Sequence, residues 1–216
     1  MKNTIPVITI DGPSGVGKST ISKIIAKKLK WSVLESGKIY RFLAFLILNK
    51  KISIFEKNII PFIKDLDILL NKNLQYNDKL INFEKISEIS SQLASFPIVR
   101  KILLKKQRSF RSFPGLIAEG RDMGTVVFPD AKLKFFLDAN LEVRVYRRIL
   151  ELKKNRCYID FKKLFIKMKN RDERDQNRLI SPLCIPKNAI ILNSTYLSLS
   201  EVITNFMKYI TKSIKK

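Results

Sequence analysis

Histidine is absent from the 216 residues. Its absence removes His general bases, Ser-His-Asp hydrolysis and every His-ligated metal site. Cysteine is scarce: Cys157 and Cys184 stand far apart and outside any metal-ligand spacing, which reads as two free thiols in a reducing compartment. No apolar run reaches the roughly 18 residues that a membrane-spanning helix needs. The start, Met1 to Thr4, leads into a short apolar run that carries Asp11 and lacks a small-residue cleavage site, so it does not read as a signal peptide. The expectation is a cytoplasmic protein without a membrane partner. No Pro/Gly/Ser-rich stretch marks a linker and no internal repeat is visible, so the length fits one α/β core with a small excursion. Phosphate handling, carboxylate acid–base work and thiol chemistry are what these absences leave.

Negative charge is also in short supply, with 19 Asp and Glu against 42 Lys and Arg for a net charge of +23. Such a balance raises a nucleic-acid reading. Lysine, however, is spread along the whole chain, and Ile and Asn are frequent too. AT-rich codons favour all three, so mutational bias is the favoured explanation of the charge, ahead of a field for anionic nucleotides or weak RNA contact.

What is present alternates. Pro6 to Asp11 is a β-branched run ending at Gly12-Pro13, which predicts a buried parallel strand. A helix from Lys18 to Lys30 follows, with Ile21, Ile24, Ile25 and Leu29 at helical spacing. Further strands are expected at Trp31–Leu34, Leu116–Glu119, Lys132–Asp138 and Ala189–Leu192. Helices are expected at Ile39–Asn49, Glu84–Ala94, Ile98–Ser109 and from Leu141, capped by Asn140, to about Asn155. Residues 66–83 read as a small antiparallel meander. The charge-dense stretch from Arg144 to Arg178 reads as helical and largely exposed. Ser198 and Glu201 form a capping box for a last helix whose apolar face is Val202, Phe206, Tyr209 and Ile210. Strands alternating with helices argue a parallel sheet covered on both faces.

Gly12-Pro13-Ser14-Gly15-Val16-Gly17-Lys18-Ser19 fits G-x-x-x-x-G-K-[ST] between a strand and a helix. Its glycines let backbone N–H groups wrap phosphate oxygens, and the helix start adds its positive end. Lys18 supplies a cation for the β/γ oxygens, and Ser19 offers a hydroxyl to Mg2+. The pattern implies ATP or GTP binding. No N-K-x-D base-reading motif accompanies it, and the short chain with many arginines favours a small-molecule kinase.

Arginine placement adds to this. Arg41 follows the second strand. Arg121 and Asp122 follow Gly120 at a strand end. Arg171, Arg174 and Arg178 fall at i, i+3 and i+7 on one helix face, with Asp175 beside them. Strand ends are where ligands gather in such sheets, and arginine grips phosphate bidentately without losing its charge. A solvated helix with i,i+4 ion pairs, and a local Arg121–Asp122 bridge, are the plainer alternatives.

Val7 to Thr20, Ser36-Gly37-Lys38-Ile39-Tyr40-Arg41, Gly120-Arg121-Asp122-Met123-Gly124-Thr125-Val126-Val127-Phe128-Pro129 and Lys169 to Arg178 together resemble bacterial cytidylate kinases, members of the nucleoside monophosphate kinases with a P-loop. The likeness runs nearly the whole length. It implies transfer of the γ-phosphoryl group of ATP to CMP or dCMP with Mg2+. It also implies a P-loop NTPase-type α/β fold: a five-stranded parallel sheet flanked by helices, an inserted monophosphate-binding domain at about 60–95 and a helical lid at about 148–176. The resemblance implies that the loop from Gly12 through Thr20 holds the ATP phosphates. Lys18, Arg121, Arg171 and Arg178 would neutralise charge during transfer. Arg41, Arg121 and Arg178 would engage the acceptor phosphate, Ser36, Arg100 and Asp122 would read cytosine, and Ser91, Arg171 and Asp175 would lie near the pentose. Glu35 and Glu119 stand where such kinases commonly carry aspartate, and the insert is shortened before Ile86. The partners expected are ATP and CMP or dCMP, with no obligate nucleic acid, and the protein is expected as a monomer. Two rival readings are a kinase for UMP or dTMP and a basic RNA-binding protein with a vestigial loop.

Overall fold

The computed structural model describes residues 5–54, 58–60, 62, 84–154 and 157–214. The five expected strands are present as β1 (Val7–Asp11), β2 (Ser32–Glu35), β3 (Leu116–Gly120), β4 (Leu133–Asp138) and β5 (Ile190–Asn193). They form one parallel sheet in the order β2-β3-β1-β4-β5. Every residue of β1 and β3 is buried, as expected for strands covered on both faces. The register sets Asp11 beside Gly120 and Glu35 beside Glu119, so the carboxyl ends of β1, β2 and β3 finish at one level.

Helices around the sheet include α1 (Lys18–Leu29), α2 (Ser36–Asn49), α3 (Glu84–Leu93), α4 (Pro97–Ser109), α5 (Leu141–Lys154), α6 (Phe161–Asn177) and α7 (Leu199–Ile214). One apolar cluster joins Val7, Leu34, Leu116 and Ala118 to Ile39, Leu43 and Ile47 of α2 and Leu93, Val99 and Leu103 of α3 and α4. A second joins Ile8, Ile10 and Phe135 to Ile21 and Ile25 of α1 and Val202, Phe206 and Ile210 of α7. The Phe135 and Phe206 rings lie 4.3 Å apart between centroids. The Ser198 box forms as expected: Glu201 Oε2 accepts from the Ser198 amide at 2.8 Å, and Ser198 Oγ accepts from the Glu201 amide at 3.3 Å. The expected meander at 66–83 lies outside the described residues.

Four expectations change. The helix after β2 begins at Ser36, not Ile39; a helix's first N–H groups need no intrahelical acceptor, so Ser36-Gly37-Lys38 fits its first turn. The stretch 144–178 is not largely exposed, because Val145, Leu152, Leu164 and Met168 make a third buried cluster between α5 and α6. Helix α6 ends at Asn177, and Arg178 is extended with φ −65° and ψ 139°, so it leaves the face shared by Arg171 and Arg174. Tyr209 stays 40% exposed and meets Phe135 only edge-on.

Candidate active site

Strand β1 delivers Asp11 and then the loop. A side chain at Gly12 would place its Cβ 2.0 Å from the Leu137 carbonyl oxygen, so only glycine lets the loop leave β1 against β4. The first α1 bond runs from the Ile21 amide to the Gly17 carbonyl at 3.1 Å. The amides of Lys18, Ser19 and Thr20 precede it and are left for an anion. Lys18 is buried, and its Nζ donates to the carbonyls of Gly12 (2.8 Å) and Pro13 (2.6 Å). Burial, with Arg121 adding repulsion, holds this ammonium well below the usual lysine range.

Ser19 Oγ donates to Glu35 Oε1. Lys23 and Lys38 flank the same carboxylate at 3.3 and 3.0 Å. Burial pushes Glu35 up, but the Ser19 hydroxyl and the two ammoniums more than offset it and hold it below its ordinary value.

Beyond β3 the chain turns through Met123–Val127 as one π-helical turn, with Val127 N–H on the Asp122 carbonyl at 3.1 Å and Phe128 N–H on Met123 at 2.7 Å. Asp11 holds this turn from below. Its Oδ1 accepts from the Met123 amide at 2.8 Å and its Oδ2 from the Gly124 amide at 2.7 Å. Arg108 of α4 holds it from outside, donating to the Val127 and Val126 carbonyls at 2.9 and 3.0 Å. The two flanking residues before the turn, Arg121 and Asp122, are thereby fixed.

Asp122 pairs with Arg100 of α4, both buried. Arg100 also donates to the Ala94 carbonyl at 3.2 Å and lies over the Tyr40 ring. Arg121 Nε donates to Asp175 Oδ2 of α6 at 2.8 Å. Ser91 Oγ donates to Asp175 Oδ1 at 3.4 Å, and Arg178 Nη1 lies 3.9 Å from that oxygen. Burial pushes Asp175 up, but Arg121, Arg171 and Arg178 outweigh it and keep the carboxyl low. Burial lowers Arg41 and Arg178, and Arg41 Nε and Arg178 Nη2 have no hydrogen-bond partner among the described residues. Buried donors held without acceptors are suited to an incoming anion.

Lys18, Ser19, Lys23, Glu35 and Lys38 line one cleft of about 710 Å³, whereas Asp11, Arg108 and the π turn are not among its lining residues. Loop residues Ser14 through Thr20 and Arg147, Leu197 and Leu199 lie on its walls, as do Ser36, Arg41, Ser91, Arg100, Arg121, Asp122, Arg171, Asp175 and Arg178. Gly12 and Pro13 stand behind the lining, as carbonyl acceptors for Lys18. Asp11 and Arg144 are among the groups that escaped the sequence reading. Asp11 was visible only as the last residue of a strand. Arg144 sat in a charge-dense stretch; it is buried, donates to the Ser14 carbonyl at 3.1 Å and pairs with Asp172 at 2.5 Å.

Comparison with known proteins shows the family. The family model described as cytidylate kinase matches residues 8–212. A cytidylate kinase from Buchnera aphidicola subsp. Baizongia pistaciae (strain Bp) is 50% identical, over 99% of this chain and 97% of its own. Cytidylate kinases from Shigella sonnei (strain Ss046) and Serratia proteamaculans (strain 568) are 44% and 45% identical, over 94% and 97% of this chain and 94% and 96% of theirs. Among solved structures, TT1252 from Thermus thermophilus superposes with a TM-score of 0.50 at 17% identity over 98% of both chains. An uncharacterized protein from Eubacterium ventriosum ATCC 27560 gives 0.53 at 14% over 96% of this chain and 99% of its own. At those identities the structures speak for the fold.

Proposed function

The chain belongs to the cytidylate kinase family, and from that premise we propose how its own residues carry the reaction. Its activity is phosphoryl transfer to CMP with ATP as donor; dCMP is proposed as a second acceptor. The readings as a UMP or dTMP kinase, or as an RNA-binding protein with a vestigial loop, are not favoured.

Phosphoryl transfer asks the protein mainly to hold two anionic reactants in line and to neutralise the charge that develops. The loop from Gly12 through Thr20 is assigned to the ATP phosphates, with Lys18 moving off the Gly12 and Pro13 carbonyls onto the β/γ oxygens. Arg41, Arg121 and Arg178 are assigned to the acceptor phosphate and, with Arg171, to the transferring group. Ser91 and Asp175 lie at the pentose. Cytosine presents an amino donor beside ring acceptors, which the Asp122 carboxylate, Arg100 and Ser36 complement. The CMP phosphate oxygen attacks directly, with no covalent enzyme intermediate. Closure of α6 over the loop excludes water.

Mg2+ takes hard oxygen donors, usually one or two protein ligands plus substrate phosphates. The Ser19 hydroxyl and the Glu35 carboxylate, already joined beside the loop, fit that set and would hold it, Glu35 through water. When bound, the ion offsets negative charge on the β- and γ-phosphate oxygens. We propose that it acts as a monomer. Two free cysteines support a reducing, cytoplasmic setting.

The observation that carries this reading is the single cleft with the phosphate loop on one side and the Asp122–Arg100 pair on the other. A coupled ADP-release assay with ATP and Mg2+ against CMP, dCMP, UMP, GMP, AMP and dTMP tests it. Turnover confined to CMP and dCMP is expected. Preference for another monophosphate would overturn the base-reading roles. Lys18→Ala should lower kcat by at least about 100-fold with an unchanged far-UV spectrum.

A further inference from the structure

Behind the wall that carries Ser36 lies one polar side chain without a role so far. Gln107 sits in the last turns of α4, is 1% exposed and is not among the cleft-lining residues. Its Nε2 donates to Ser36 Oγ at 2.8 Å. Ser36 itself is 4% exposed, opens α2 and lines the cleft with Arg100 and Asp122.

We infer that Gln107 is a specificity-determining positioning residue: by donating to Ser36 Oγ it orients that hydroxyl and biases it to donate toward the acceptor base. This rests on the reading of Ser36 as a base contact. A hydroxyl carries one proton and two lone pairs. With the Gln107 amide on one lone pair, the proton of Ser36 is left for the cleft. Cytosine places an unprotonated ring nitrogen between its amino group and its carbonyl, whereas uracil carries N–H there. A hydroxyl that already accepts from Gln107 keeps its proton for the base and is the stronger donor for it, which suits the first; the second meets only its one remaining lone pair. The Asp122 carboxylate makes the same distinction one position along the ring, since it accepts from an amino group and repels a carbonyl oxygen. Gln107 touches neither base nor phosphate and acts through Ser36 alone.

Gln107→Leu keeps an apolar body of similar size and frees the Ser36 hydroxyl. Gln107→Glu replaces the donor by an acceptor, draws the Ser36 proton away from the cleft and leaves lone pairs facing the base. Both are assayed for kcat/KM with CMP and with UMP and for the KM of ATP, in the Ser36 protein and in a Ser36→Ala background. Expected is a fall of about tenfold in CMP kcat/KM for Gln107→Leu, the scale of one buried hydrogen bond. Gln107→Glu should give a larger fall and a narrower CMP-to-UMP ratio. The ATP KM should hold in both, and the loss should vanish once Ser36 is Ala. Should Gln107→Glu fail to fold, the Gln107→Leu and Ser36→Ala cycle still decides. An unchanged CMP-to-UMP ratio in Gln107→Leu, while Ser36→Ala alone alters it, overturns the role of Gln107 and leaves Ser36 as a base contact. An equal loss in both backgrounds also overturns it, because the effect would then be general packing. An unchanged ratio in Ser36→Ala removes the reading of Ser36 and this inference with it.

Discussion

Asp122 and Arg100 are buried together, so truncating either leaves a charge out of water without a partner, at a cost of order 3 kcal/mol. Asp122→Ala therefore mixes lost stability with lost recognition. Asp122→Asn keeps the shape and one acceptor oxygen but turns an amide donor toward the base. We expect its kcat/KM for CMP to fall by at least about tenfold while ATP binding, followed by titration, is unchanged. Equal loss toward both nucleotides would count against the cytosine contact. Asp11 is a different kind of carboxylate. Burial raises it from 3.8 to about 7, against the Met123 and Gly124 amides that favour its ionised form. Because its folded-state value lies above the ordinary one, its protonated form supports the fold fully below about pH 4, and that support is lost as pH rises to about 7. Asp11→Asn carries no proton to titrate. The melting temperature of the native protein minus that of Asp11→Asn should fall across this window and then level off. A difference that stays flat would mean that Asp11 is ionised throughout.

Helix α6 and the phosphate loop are joined by one residue of a third element. Arg144 of α5 donates from Nε to the Ala139 carbonyl at 2.9 Å and from Nη1 to the Ser14 carbonyl, and pairs with Asp172 of α6. A Cβ at Gly15 would meet the Met168 methyl of α6 at 2.8 Å, so loop and helix are already in close approach. We propose that 148–176 moves as a lid and that Arg144 ties its closed position to the loop. Arg144→Lys keeps a charge but loses the fork that serves three acceptors at once. It should raise the KM of ATP several-fold and leave the KM of CMP nearly unchanged; the reverse pattern would detach Arg144 from the donor side. The same element shows where sequence reading stops. The strands could be read because Val7–Asp11 and Leu116–Gly120 are apolar runs that stop at glycine, and the loop could be read because its motif depends on local backbone. Arg144, Gln107 and Asp172 could not, since a polar residue on a helix looks solvated until a neighbouring element buries it. Arg178 was misplaced for a related reason: i, i+3, i+7 spacing assumes a helix that continues, and here it ends one residue earlier. The π turn after Asp122 leaves no periodic trace, because its i to i+5 bonds depend on Asp11 and Arg108 from elsewhere in the chain.

Over the whole molecule the net charge of +23 separates into two populations with different consequences. Arg41, Arg100, Arg121, Arg171 and Arg178 gather in the cleft, where low dielectric and few counterions keep their field strong. Lysines such as Lys208 and Lys212 lie exposed on α7, where salt screens them within about 8 Å at physiological ionic strength. A steering field for anionic nucleotides should therefore come from the cleft and its rim, to which the exposed Lys154 belongs. If so, kcat/KM for CMP should drop several-fold between roughly 20 and 200 mM salt, while kcat changes little, because screening slows encounter without touching the bound state. Lys154→Gln should shallow that salt dependence, and the double change Lys208→Gln, Lys212→Gln should leave it as it is. Equal effects of the rim and the distant substitutions would mean that net charge alone attracts the substrate. No effect of either would assign the surface lysines to composition, with the cleft arginines acting only after the nucleotide has arrived.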